Sequence, residues 1–259
     1  MEIVVLGSSS AGNSMLLRAD EGALLFDAGL SLKEVRRRLS AQGIGLEDLE
    51  GVLLTHEHAD HARGVGRFLR TRGLRVASNG ATARAVRDTF GAEGVEALPE
   101  GGATKFGAFN VRALPVPHDS ADCCAFAVEA EGRRVLYATD LGAVPESLLE
   151  EGRRADFAVI ESNHDRGRLW SGSYPKFLKE RIAGGRGHLS NDQAAEAVVR
   201  FAGGPLKKVL LAHLSVENNE PALAVKAVED ALRGRAGLSA YGVKVEAAPR
   251  DGPVAVALA

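Results

Sequence analysis

Short runs of aliphatic and β-branched residues recur along the chain, at 3–6, 24–26, 52–54, 111–114, 135–137, 157–160, 209–211 and 254–258. Each is brief and most are bounded by Gly, Asp or Asn, which predicts buried strands. Between many of them the apolar positions take helical spacing. Ser31 with Glu34 forms a capping box ahead of Leu32, Val35 and Leu39, and Ser190 with Gln193 forms another ahead of Ala194, Ala197, Val198 and Phe201. Asn219 is placed to cap a helix carrying Ala224, Ala227, Val228, Ala231 and Leu232 on one face. Strands also follow one another directly, 103–114 and then 125–137, so the sheet is predicted to be mixed. No stretch is rich enough in Pro, Gly or Ser to divide the chain, and no short-period repeat is present. The expectation is one domain over residues 1–259, of the α/β (α+β) class, with helices outside β-sheets.

Composition changes this picture little. Hydrophobic residues make up 45% and charged residues 25%, enough to bury a core without a disulfide or structural metal. A formal net charge of −2 gives no ground for a strongly basic nucleic-acid-binding body, so any electrostatic footprint must be a local patch. Cys123 and Cys124 are adjacent, which suits neither a disulfide nor a zinc–cysteine spacing. They read as small residues near a strand, in a reducing compartment. The first apolar run has no basic flank and ends after four residues, which argues against a signal peptide. No run approaches membrane-spanning length, and a cytoplasmic protein is expected.

The histidines carry the chemistry. Of the seven, His56, His58 and His61 fall within six positions, directly after the apolar run at 52–54, and His118, His164, His188 and His213 sit at strand ends or loop starts. In an extended stretch residues two apart face the same side, so His56 and His58 can reach one metal together. Asp60 and His61 follow where the chain turns into a helix carrying Val65, Phe68 and Leu69, and can point back at a second metal. Imidazole and carboxylate suit zinc, manganese or iron. Two divalent ions with N and O ligands would lower the pKa of a water held between them, which predicts hydrolysis without choosing a substrate. Asp60 could also orient that nucleophile.

The pattern His-X-His-X-Asp-His resembles that of the metallo-β-lactamase superfamily. The resemblance implies a four-layered αβ/βα sandwich with the metals at the sheet edges. It also implies roles for further residues. Asp27 in Phe-Asp-Ala-Gly matches a carboxylate that buttresses the metal loop, and His118 after Pro-Val-Pro matches the next ligand. Asp140 in Ala-Thr-Asp matches the bridging carboxylate, and His213 in Leu-Leu-Ala-His matches the last histidine. By that analogy His56, His58 and His118 bind one metal, Asp60, His61 and His213 bind the other, and Asp140 bridges.

Three segments bear on the substrate. The polar loop at 7–14, with Ser10 and Asn13, can offer backbone N–H groups to an anion or simply turn between strands. Glu161, Asn163 and His164 end a buried run. His188 lies just before a capped helix start, where free N–H groups and the helix dipole favour phosphate. The dipole disfavours imidazolium there, and a bound phosphate would restore it, so a proton donor fits this spot. The segments at 161–165 and 187–191 are similar to those with which tRNase Z-type phosphodiesterases place a glutamate and a histidine beside their metals. More fully, the chain resembles the YycJ/WalJ group of metallo-β-lactamase-fold exonucleases along nearly its whole length, through 7–14, 26–30, 55–61, His118-Asp119, Thr139-Asp140, 161–165, 187–191 and 213–219.

That resemblance implies a DNA 5′-exonuclease with two metal ions, zinc or manganese, that meets DNA ends and has a repair role. His188 would then protonate the leaving oxygen, oriented by Glu161. Asn13, His164, Asn191 and Asn219 are candidates for contacts that hold phosphate or orient a ligand. Between Asn163 and His188, six basic residues (Arg166, Arg168, Lys176, Lys179, Arg181 and Arg186) stand against Asp165 and Glu180, with Trp170 and Tyr174 interleaved. A polyanion could lie along this stretch with its bases stacked, or the stretch is a solvated helix face. Two rivals stay open. A glyoxalase II-like thioester or lactone hydrolase shares the metal motif, and a metal-dependent DNA-binding or regulatory module would lack turnover.

Overall fold

Along β1 (Glu2–Gly7) the side chains of Ile3 and Val5 enter one apolar core and those of Val4 and Leu6 enter another, so none of these four faces water. This is why the strand reads as an unbroken apolar run and not as an alternation. The structure, a computed structural model, describes residues 1–9, 11–235 and 242–258. After β1 come β2 (Ser14–Ala19), β3 (Gly22–Phe26), α1 (Leu32–Ser40), β4 (Leu49–Leu53), α2 (Ala59–Ala62), α3 (Val65–Phe68), β5 (Val76–Ser78), α4 (Gly80–Phe90) and β6 (Glu96–Ala97). The second half contains β7 (Thr104–Phe106), β8 (Phe109–Val116), β9 (Cys123–Ala130), β10 (Arg133–Ala138), α5 (Glu146–Gly152), β11 (Phe157–Glu161), α6 (Arg166–Ser171), α7 (Lys176–Ala183), α8 (Asn191–Phe201), β12 (Lys208–Ala212), α9 (Pro221–Gly234), β13 (Lys244–Ala247) and β14 (Asp251–Ala257).

The strands form two mixed sheets, in the orders β14-β1-β2-β3-β4-β5-β6 and β13-β12-β11-β10-β9-β8-β7. Their inner faces pack together through Val5, Phe26, Phe126, Tyr137 and Val159, with the Phe26 and Tyr137 rings stacked at 4.3 Å. The outer face of the first sheet is covered by α1, α3 and α4, through Val35, Phe68 and Val86. That of the second is covered by α5, α8 and α9, through Leu148, Val198 and Val228. The result is the four-layered αβ/βα sandwich that the resemblance implied. No described helix is long and apolar enough to cross a membrane.

The parallel pairs β3–β4 and β10–β11–β12 matter most, because parallel strands deliver their C-terminal ends to the same edge. Asp27 follows β3, His56 follows β4, Asp140 follows β10, Glu161 ends β11 and His213 follows β12. Asp27, Asp140 and His213 all have left-handed backbone, with φ of 61°, 58° and 54°. Such residues generally cost about 1–3 kcal/mol each and mark places where the chain must turn a side chain out of the sheet.

Two helix starts differ from the sequence pattern. Ser31 accepts from Glu34 N as expected, but the Glu34 carboxylate reaches Arg37 and Arg38 instead of returning to the cap. Glu220, not Asn219, is the cap of α9, and the Asn219 side chain accepts from Glu220 N one residue early. The box of Ser190 and Gln193 is complete. Cys123 and Cys124 are free and buried in β9.

Candidate metal centre

The turn from β4 into α2 carries His56, His58, Asp60 and His61, and it is fastened from below. Asp27 Oδ1 accepts from Thr55 N at 2.8 Å and from Thr55 Oγ1 at 2.9 Å, and its Oδ2 accepts from His61 Nδ1 at 2.8 Å. Thr55 Oγ1 in turn accepts from His56 Nδ1 at 2.9 Å. Gly29 lets this packing close, since a Cβ there would lie 1.6 Å from Asp60 O. Thr55 is fully buried and touches Asp27, His56 and His61, yet nothing in its sequence position beyond adjacency to His56 marked it out.

The other histidines arrive from the second sheet. His118 Nδ1 donates to Gly187 O at 3.0 Å. His188 Nδ1 and His213 Nδ1 both donate to Glu161 Oε1, each at 2.8 Å. Gly142 allows the 185–187 backbone to pass close, where a Cβ would come within 2.4 Å of Gly185 C. Ser8 Oγ accepts from His213 N at 3.0 Å, and Asn13 Nδ2 donates to Asp60 Oδ2 at 3.2 Å, so the loop after β1 touches both Asp60 and His213.

In His56, His61, His118 and His213, Nδ1 is held by an outer partner, which turns Nε2 toward the centre, where that of His61 also lies 2.9 Å from Asn13 Nδ2. The ligand-capable atoms fall into groups within 4.8 Å of one another: His56, His58 and His118; Asp60, His61 and His213; His56, His61 and Asp140; and Asp140, Glu161, His188 and His213. Asp140 lies between the first two, its oxygens 3.2 Å from His61 Nε2, 3.9 Å from His118 Nε2 and 3.2 Å from His213 Nδ1. His56 Nε2 and His118 Nε2 are buried without a hydrogen-bond partner among the described residues. A cation satisfies such nitrogens, so these residues fit divalent metal.

Charge is arranged to match. Burial pushes His56 well below the usual imidazole range and lowers His118, which keeps both neutral as ligands must be. Burial opposes ionisation of Asp140, but His213 and His61 beside it hold its carboxyl well below the usual range. Glu161 is likewise held at about 2, against burial, chiefly by His188. Burial resists a charge on His188, and the Glu161 carboxylate overcomes it and raises the imidazole to about 9. A fixed carboxylate, where the sequence pattern suggested a bound phosphate, thus offsets the helix dipole.

The cleft above the centre encloses about 450 Å³ and is lined by His58, Asp60, His118, Asp140, His188 and His213 on its floor. Tyr174, Leu178 and Arg181 form one wall. Other expected contacts sit differently. Asn191 and Asn219 are buried with their amides bonded to each other at 2.8 and 3.0 Å, and Asn219 also donates to Ser162 O and Asn163 O, so both brace the site from behind. His164 is buried and held at about 4, mainly by burial. Ser10 lies outside the described residues. Asn163, which lines the cleft and donates to His213 O, and Asp119, next to His118, stand out in the sequence only as motif neighbours.

Three of the six basic residues at 164–187 are paired with acids. Arg168 pairs with Glu220, Lys176 with Glu180 and Arg181 with Asp119. Lys179 donates to Trp170 O and Gly172 O, and Arg186 to His118 O and Ser120 O. Trp170 is half-exposed.

Comparison with known proteins agrees with this geometry. The family model of the β-lactamase superfamily domain matches residues 23–214. Exodeoxyribonuclease WalJ of Streptococcus pneumoniae serotype 2 is 38% identical over 225 residues, covering 85% of this chain and 84% of its own. Exodeoxyribonuclease YycJ of Bacillus anthracis is 35% identical over 231 residues, covering 88% of each. The metallo-β-lactamase fold protein YhfI from Bacillus subtilis is similar in structure, with a TM-score of 0.73 over 98% of both chains at 17% identity, which is a likeness of fold.

Proposed function

Because this chain belongs to the β-lactamase superfamily and to the family of the WalJ and YycJ exodeoxyribonucleases, we propose that it is a metal-dependent phosphodiesterase that removes nucleotides from the 5′ ends of DNA. It acts as one domain over residues 1–259, in the cytoplasm, with zinc or manganese at two sites. His56, His58 and His118 would hold one ion, and Asp60, His61 and His213 the other, with Asp140 between them. When bound, the ions supply an activated water and neutralise charge on the scissile phosphate.

The observation that carries the nuclease reading is Glu161 with His188. Glu161 fixes Nδ1 of His188, which leaves Nε2 as the nitrogen available to the cleft. As the P–O bond breaks, that N–H gives its proton to the leaving oxygen. A thioester leaves as a stabilised thiolate and needs no such donor, and an intact set of metal-capable residues does not favour a module without turnover. Asp60, held by Asn13, orients the nucleophile from the other side of the cleft.

A digestion panel tests the reading. Labelled single- and double-stranded DNA and RNA, with 5′-phosphate or 5′-hydroxyl ends, are incubated with each metal. Mononucleotide release from the 5′ end of DNA is expected. Turnover of a glutathione thioester with none of DNA would overturn it.

Asp27 supplies a second prediction. It holds Thr55 and His61 without itself reaching the cleft, so Asp27→Asn should lower metal affinity by about 10–100-fold while the protein stays folded. Competition with a chromogenic chelator measures this, and an unchanged affinity removes the buttressing role.

A further inference from the structure

A second set of basic residues starts just after the metal motif and follows α2 and α3 toward the start of β5. Arg63, Arg67 and Arg70 follow the metal motif at spacings of four and three, and all are exposed, while Ala62, Val65 and Phe68 between them face the core. None of the three has an acidic partner among the described residues, whereas in the stretch at 164–187 Arg168, Lys176 and Arg181 are paired with acids and only Arg166, Lys179 and Arg186 are not. The stripe is also joined to the centre. Arg63 Nε donates to Gly29 O at 2.7 Å, Gly29 N donates to Asn13 O at 3.0 Å, and Asn13 holds Asp60.

We propose that Arg63, Arg67 and Arg70 form the track for the phosphate backbone of the polynucleotide as it continues out of the cleft, an inference that rests on the nuclease reading. Three guanidinium groups spread over about 10 Å of helical rise match about three phosphates of one strand. They carry no base-reading geometry, so the track is indifferent to sequence. Its ligand is a chain of phosphodiesters, and a single nucleotide is too short to reach it.

The test compares the wild-type protein with Arg67→Ala/Arg70→Ala and with the control Lys207→Ala/Lys244→Ala. The control removes two exposed charges at the N-terminal ends of β12 and β13, the edge away from Asp140 and His213. KM for a 5′-phosphorylated 20-mer is followed against salt, and turnover of thymidine 5′-(p-nitrophenyl phosphate) reports the centre alone. The arginine variant should raise KM for the 20-mer about tenfold and lower the salt slope by about 1 per residue removed, with the small ester unaffected and the control like wild type. Equal slopes in all three proteins, or equal losses in variant and control, overturn the track. Wild-type protein that hydrolyses the small ester but neither binds nor cleaves DNA overturns the nuclease reading itself, and the track with it.

Discussion

Asp140→Ala is expected to lose bound metal and turnover together, with activity falling well beyond the roughly 10–100-fold that removal of an outer partner costs. The reason is position. Among the described residues Asp140 is the one carboxylate whose oxygens lie within 4 Å of His61, His118 and His213, so it contacts both proposed ligand triads. Two cations bound side by side repel each other, and a shared anion offsets that repulsion. Without it, His61 and His213 lose the charge that opposes their burial. Asp140→Asn keeps the shape and removes the charge, so it separates the two contributions: metal loss in both variants makes charge the cause. Elemental analysis after gel filtration, paired with DNA hydrolysis, reads the result. An alanine variant that keeps its metal and a tenth of its activity would refute the shared role.

His188→Ala should leave metal content intact and lower kcat on DNA by about 10²–10⁴-fold, the range for loss of a positioned proton donor. The diagnostic is the leaving group. An alkoxide needs a proton as the P–O bond breaks, whereas p-nitrophenolate departs without one. The deficit should therefore shrink strongly on thymidine 5′-(p-nitrophenyl phosphate). A deficit equal on both substrates would mean that His188 binds or orients phosphate instead. Glu161→Gln should share the DNA defect and also weaken metal, because the same oxygen that holds His188 holds His213.

Much of the centre could be read from the sequence because the fold places it at strand ends. Asp27, Asp140 and His213 each follow a short apolar run, and parallel strands bring those ends to one edge. The dense motif from His56 to His61 needed no tertiary information beyond the turn that carries it. Contacts between distant residues could not be read. The partners that neutralise Arg168 and Arg181 lie 52 and 62 positions away in sequence, so a local count of charge overstated the free positive charge of that stretch. Which of their two offered roles Asn191 and Asn219 take was also beyond the sequence: 28 positions apart, their amides meet and close on each other, which suits bracing. Strand β2 went unmarked in the sequence, with Arg18 interrupting its apolar run, and β5, β6 and β7 are only two or three residues long.

The most direct test of the account is a metal titration read by DNA hydrolysis. Protein stripped with chelator is reconstituted with zinc or manganese in steps, and release of nucleotides from 5′-phosphorylated DNA is measured at each step. The account predicts no release from the stripped protein and activity that climbs to a plateau at two equivalents of metal. Full activity at one equivalent, or fully loaded protein that never releases a nucleotide, would contradict it.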